Sequence, residues 1–96
     1  MVKTFWRELV EAFEVINNSD ARVTVIDAAG KHFTSGLDIK AFLELGLSEK
    51  KDVGRRAENL RQQILLMQRS FNSIEKARMP VIVAVHGACI GGGVDM

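Results

Sequence analysis

The sequence predicts an α/β fold with parallel strands, and three observations predict it. Two stretches, Phe5–Ile16 and Val53–Lys76, carry apolar residues at helical spacing; two short runs, Arg22–Ile26 and Val81–Val85, read as strands; each run leads into a glycine-bearing loop. Strands separated by a long helical stretch have no hairpin between them and pair in parallel through a crossover.

In the first helix Phe5, Leu9, Ala12, Phe13 and Ile16 recur on one face, with Arg7, Glu8, Glu11 and Glu14 between them. Asn17–Asp20 supplies stop chemistry, because short polar side chains compete for helical backbone groups. Arg22–Ile26 has the β-branched content of a buried strand. Gly30 opens a loop over 29–38, and Ile39–Leu45 reads as a short helical piece. Ser48–Arg56 is polar and charged, a solvated connector or first helical turn without chemistry of its own. From Val53 the residues Ala57, Leu60, Ile64, Met67, Phe71 and Ile74 recur three or four apart and predict a long helix, with Met67 as core filler. Pro80 biases Met79 out of the helical conformation, so the helix ends before it, and Val81–Val85 reads as a strand buried on both faces. Gly87 turns the chain and a further helix starts near Gly91.

Ninety-six residues make one domain at most, with room for a modest core. A composition of 47% hydrophobic and 26% charged residues is that of a packed globular protein, which argues against a disordered chain. The net charge of +1, with basic residues scattered among acidic ones, removes any bulk electrostatic case for nucleic acid or an anionic membrane as partner. No apolar run approaches the ~18–20 residues of a membrane span, and MVKTFWREL carries charge where a signal peptide has its apolar core, so a soluble, non-secreted protein is expected. The single cysteine, Cys89, excludes an internal disulfide and reads as a small apolar packing residue.

The chemistry concentrates in the two loops. In open α/β sheets binding sites gather beyond the carboxyl ends of strands. In HFTSGLDI (32–39), Gly36 lets backbone approach a ligand and turns the Leu37 amide outward; in HGACIGGGVDM (86–96), glycines open a helix whose free N–H groups carry partial positive charge. Neither the P-loop nor the dinucleotide fingerprint is present, which disfavours phosphate. The remaining candidate is an oxyanion held by one N–H from each loop, where such a donor contributes ~3–4 kcal/mol in a dry site. A tight turn packing helix against sheet would also account for the glycine run taken alone. His86 and His32 read as hydrogen-bonded structural residues, with no partner at metal-ligand spacing.

Together, HFTSGLDI and PVIVAVHGACIGGGVD (80–95), with a helical stretch between, resemble the crotonase (enoyl-CoA hydratase/isomerase) superfamily. Within it the chain is most similar to the dienoyl-CoA isomerases, including FWREL at 5–9. The resemblance implies the N-terminal portion of a crotonase (ClpP-like) spiral fold. It implies an oxyanion hole from the backbone N–H groups of Leu37 and Gly92, gripping the thioester carbonyl of an acyl-CoA, with Ser35, Gly36, Asp38 and Ile39 lining the adjoining acyl-CoA segment. Asp95 is implied as the catalytic acid, standing where the hydratases of the family carry Glu. First-turn helix electrostatics is the competing account of Asp95.

Coenzyme A is expected as part of the substrate, with no metal or redox cofactor. The family's domain is more than twice as long, so residues 1–96 are expected to be a partial domain, lacking the first β-hairpin and the C-terminal half and nearly inactive alone. Further acids of the isomerase pattern have no counterpart among these residues. The resemblance also implies a role in fatty-acid β-oxidation, a homo-oligomer (trimer or hexamer) and a mitochondrial or peroxisomal matrix. An enoyl-CoA hydratase and a non-catalytic binding or assembly module of the same fold are the alternatives.

Overall fold

The computed structural model describes residues 1, 3–46 and 52–96. In chain order come α1 (Lys3–Asn17), β1 (Thr24–Ile26), α2 (Ile39–Gly46), α3 (Val53–Glu75), β2 (Val81–Val83) and α4 (Gly92–Asp95), the predicted alternation. Of the predicted polar connector, Ser48–Lys51 lie outside the described residues. Asp52 ends it as the N-cap of α3, its carboxylate accepting the Arg55 amide at 2.8 Å.

The core sits where α1 packs on α3. Trp6, Val10 and Phe13, spaced four and three, form the inner face of α1, and Phe13 is only 2% exposed. Trp6 meets Phe71 of α3 and its neighbour Phe5 in edge-to-face contacts, each with ring centroids 5.3 Å apart. Ser70 of α3 is completely buried, and its hydroxyl donates to the Met67 carbonyl at 2.6 Å, so that this hydroxyl is paired. Arg78 closes the far end of α1. Its amide donates to Asn17 Oδ1 at 3.0 Å and its guanidinium to the carbonyls of Asn17 (3.2 Å), Ser19 (2.7 Å) and Ala21 (2.9 Å). Carbonyls at a helix C-terminus have no intrahelical donor and carry partial negative charge, so a cation there satisfies both needs.

β1 and β2 pair in parallel, with Thr24 opposite Val81, Val25 opposite Ile82 and Ile26 opposite Val83. Two expectations are corrected here. The strands have three residues rather than five. After Ala84 donates to Ile26, pairing resumes only where Phe33 donates to His86, so the loop at 27–32 faces a much shorter stretch on the other chain and breaks the register. Nor is the second strand buried on both faces. Val25 and Ile82 are direct cross-strand partners on one side of the ribbon, and they are 56% and 55% exposed. Among the described residues that side has no cover, in keeping with a slab 47 × 31 × 16 Å.

Candidate functional site

Beyond the strands the two glycine loops run side by side. Phe33 donates to the His86 carbonyl at 2.8 Å, Thr34 to that of Ala88 at 3.1 Å, and Ile90 to that of Thr34 at 3.3 Å, so Thr34 and Cys89 form a parallel bridge. Both histidines brace this seam. His86 Nε2 donates to the Gly30 carbonyl at 2.9 Å, and His32 Nδ1 accepts the Ala88 amide at 2.9 Å, which places the proton of neutral His32 on Nε2.

The glycines at the end of the seam serve different needs. Gly36 has φ 97° and Gly91 φ 64°, where a Cβ is strained, and the two residues touch: a Cβ on Gly91 would lie 3.4 Å from the Gly36 Cα. Gly93 is buried, and a Cβ there would collide with the γ-methyl of Thr34. Gly92 is the least constrained. A Cβ on it would meet the Met1 sulfur at 3.1 Å and the Phe71 ring at 3.9 Å, both movable side-chain groups.

Peptide planarity fixes the direction of the two amides that matter. The Gly36 carbonyl accepts the Met1 ammonium at 2.7 Å, and the Asp38 amide donates to the Met1 carbonyl at 3.0 Å. In a trans peptide the C=O and the following N–H point in opposite directions, so the Leu37 amide turns away from Met1. In the second loop the Gly91 carbonyl accepts the Val94 amide at 2.9 Å inside the turn of α4. The Gly92 amide therefore points out of the helix N-terminus. Among the described residues neither amide donates to another group of the protein.

A cleft of about 240 Å³ lies there, lined by Leu37, Gly92 and Asp95 together with Trp6, Met67, Gln68 and Phe71. Three of the residues read from the sequence thus meet in one place, Leu37 from the first loop and Gly92 and Asp95 from α4. The others do not line it. Gly36 is buried against Gly91, while Ser35 on the loop and Ile39 at the start of α2 are exposed. Asp38 has a local duty that the sequence reading missed: its carboxylate accepts the Ala41 amide at 3.3 Å and caps the first turn of α2. The cleft's apolar wall was also missed as part of a site. Met67 and Phe71 belong to the apolar row of α3 and read as interior, and the usable signal was that this row is longer than the face α1 offers it.

Comparison with known proteins follows the same lines. The family model for Enoyl-CoA hydratase/isomerase matches residues 1–96. The chain is similar to the mitochondrial Delta(3,5)-Delta(2,4)-dienoyl-CoA isomerase of Homo sapiens, 49% identical over 98 residues that cover 100% of this chain and 30% of that protein. It is 43% identical over 95 residues to the peroxisomal Delta(3,5)-Delta(2,4)-dienoyl-CoA isomerase of Arabidopsis thaliana, covering 96% of this chain and 34% of that one. Among solved structures, an enoyl-CoA hydratase/carnithine racemase from Magnetospirillum magneticum superposes with a TM-score of 0.75 at 32% identity, covering 94% of this chain and 32% of that one. The chain thus spans about a third of the length of the relatives it matches. Family match, identity along the whole chain and superposition agree: these 96 residues belong to the enoyl-CoA hydratase/isomerase family and form part of a crotonase fold.

Proposed function

We propose that the protein is an isomerase of unsaturated acyl-CoA thioesters, of the dienoyl-CoA isomerase type, and that the Leu37 and Gly92 amides form its oxyanion hole. The observation that carries this reading is that Leu37, Gly92 and Asp95 line one cleft, while the amides of the first two donate to no other described group of the protein. Its support from outside is the near 50% identity to proteins named for this reaction.

The chemistry follows from those groups. A 3,5-dienoyl thioester loses a proton from C2, next to the carbonyl; the electron pair moves onto the thioester oxygen, where two N–H donors stabilise the negative charge. The pair then returns through the conjugated chain, the double bonds move to C2 and C4, and a proton is added at C6. Atoms and oxidation state balance, so the reaction needs no redox cofactor, and coenzyme A enters only with the substrate. Asp95 is the base or acid of this transfer, the sole carboxylate among the residues lining the cleft. With one carboxylate serving both ends of the transfer, the 96 residues alone turn over slowly. By the same relatedness we assign the enzyme to fatty-acid β-oxidation in a mitochondrial or peroxisomal matrix, as a trimer or hexamer. Among the described residues no helix is long and apolar enough to cross a membrane.

Incubation with a 3,5-dienoyl-CoA and, separately, with a 2-enoyl-CoA, followed by product separation, tests the reading. The expected result is slow formation of the 2,4-isomer, abolished by Asp95→Asn, and no product from the 2-enoyl thioester. Accumulation of a 3-hydroxyacyl-CoA would make the protein a hydratase instead, and tight binding without either product would make it a non-catalytic module. A rate equal to that of the human relative assayed alongside would refute the slow turnover.

A further inference from the structure

Leu37 stands between two peptides that are tied to one residue far away in sequence. The Gly36 amide is fixed inside its own loop, donating to Thr34 Oγ1 at 3.1 Å. The next two peptides are held from outside the loop. The Gly36 carbonyl accepts the Met1 nitrogen at 2.7 Å, and the Asp38 amide donates to the Met1 carbonyl at 3.0 Å. The first of these bonds uses a single N–H, so a peptide nitrogen at this place would serve as well as an ammonium. The Met1 side chain reaches the other segment of the site. A Cβ added to Gly92 would lie 3.1 Å from the Met1 sulfur and 3.7 Å from its methyl, so the thioether packs directly on that glycine. One residue therefore touches both segments that bring an amide to the cleft, without lining the cleft itself.

Glycine makes such a hold necessary. With no Cβ at Gly36 or Gly92, the peptides beside them rotate at small steric cost, and the φ of 97° at Gly36 already lies in the region that other residues avoid. Half a turn of the Gly36–Leu37 peptide would exchange its N–H for its C=O, putting an acceptor where a donor is needed. Smaller rotations also matter, because a hydrogen bond weakens steeply as its angle departs from linear, and a donor is useful to catalysis only when fixed in advance. We propose that Met1 is a positioning residue for the oxyanion hole: its main chain sets the Leu37 amide, and its thioether sets the Gly92 amide. The inference rests on the thioester reading of the cleft.

Calorimetric titration with two ligands tests this: octanoyl-CoA, and S-octyl-coenzyme A, a thioether in which a methylene replaces the carbonyl. The chain is released from a cleavable leader, so that residue 1 can be varied. The parent should prefer the thioester, since each donor to a neutral carbonyl contributes about two- to tenfold in affinity. Deleting Met1 removes both contacts and should weaken octanoyl-CoA about tenfold while leaving the thioether within about twofold, so that the preference collapses. Met1→Gly keeps the main-chain bonds and loses the side chain, and should give up about threefold of the preference. Met1→Leu, close to Met in volume, should restore it to within about twofold of the parent. Unchanged helical circular dichroism verifies that each variant keeps the fold. A preference for the thioester that survives deletion of Met1 overturns the positioning role and leaves the thioester reading intact. An equal loss for both ligands also overturns it, because a residue that merely supports the fold does not distinguish a carbonyl from a methylene. A parent that binds neither ligand, or binds both equally, overturns the thioester reading and this inference with it.

Discussion

The two halves of α3 carry the same apolar repeat in different surroundings. In the C-terminal half Phe71 meets Trp6, Ser70 is completely buried, and Arg69 reaches Glu14 of α1 at 3.6 Å. In the N-terminal half Val53, Leu60 and Ile64 are exposed among polar neighbours. One periodicity therefore specifies one helix, while what the apolar face does is decided by its neighbour. Where α1 lies against it, the face is core; where α1 ends, it becomes cleft wall and open row.

The sharpest way to break this contrast is to remove core on the covered side. Phe13→Ala should cost about 3–5 kcal/mol, the range for emptying a fully buried aromatic site. Urea unfolding followed by helical circular dichroism reads it, and a loss below about 1 kcal/mol would mean that α1 is not seated as described. Next comes the glycine seam. Gly93→Ala forces a methyl into the Thr34 side chain and should cost about 1–3 kcal/mol by overpacking. Gly92→Ala, facing only movable groups, should stay within about 0.5 kcal/mol of the parent; equal effects at the two positions would contradict the separate causes assigned to them. Arg78→Ala removes a cation from three carbonyls at the end of α1, and because the side chain is exposed the loss should be about 1 kcal/mol. Arg78→Lys, a point charge with no fork, should recover only part of it. The open half should also respond weakly: Leu60→Ala should cost less than about 1 kcal/mol, since part of the side chain already meets water.

Much of the fold was legible because it rests on local signals. The 3.6-residue rows marked α1 and α3 to within one or two residues, Pro80 marked the end of the crossover, and the order of elements implied parallel pairing. Strand length and cover were not legible. Val81–Val85 looks the same to periodicity whether one face or two are packed, and only the exposed pair Val25 and Ile82 distinguishes them. For the site, the two loops stood out because each places glycine directly after a strand, whereas Asp95 was singled out only through the family resemblance. Met67 and Phe71 were not readable as site residues, since an apolar residue at helical spacing gives the same signal as core, and Trp6 fell outside the row read for α1, whose inner face is Trp6, Val10 and Phe13 rather than the row with the exposed Ala12. Arg78 and Asp38 carry no pattern at all; their roles depend on where a distant helix end and a local turn fall.

The central claim is that the Leu37 and Gly92 amides turn together toward one acyl oxygen. Amide chemical shifts of the ¹⁵N-labelled protein, followed during titration with octanoyl-CoA, address it at the atoms concerned. The account predicts that the amide protons of residues 37 and 92 move downfield together, saturate at the same thioester concentration, and fail to respond to coenzyme A lacking the acyl group. Saturable binding that shifts other amides while these two stay still would contradict it.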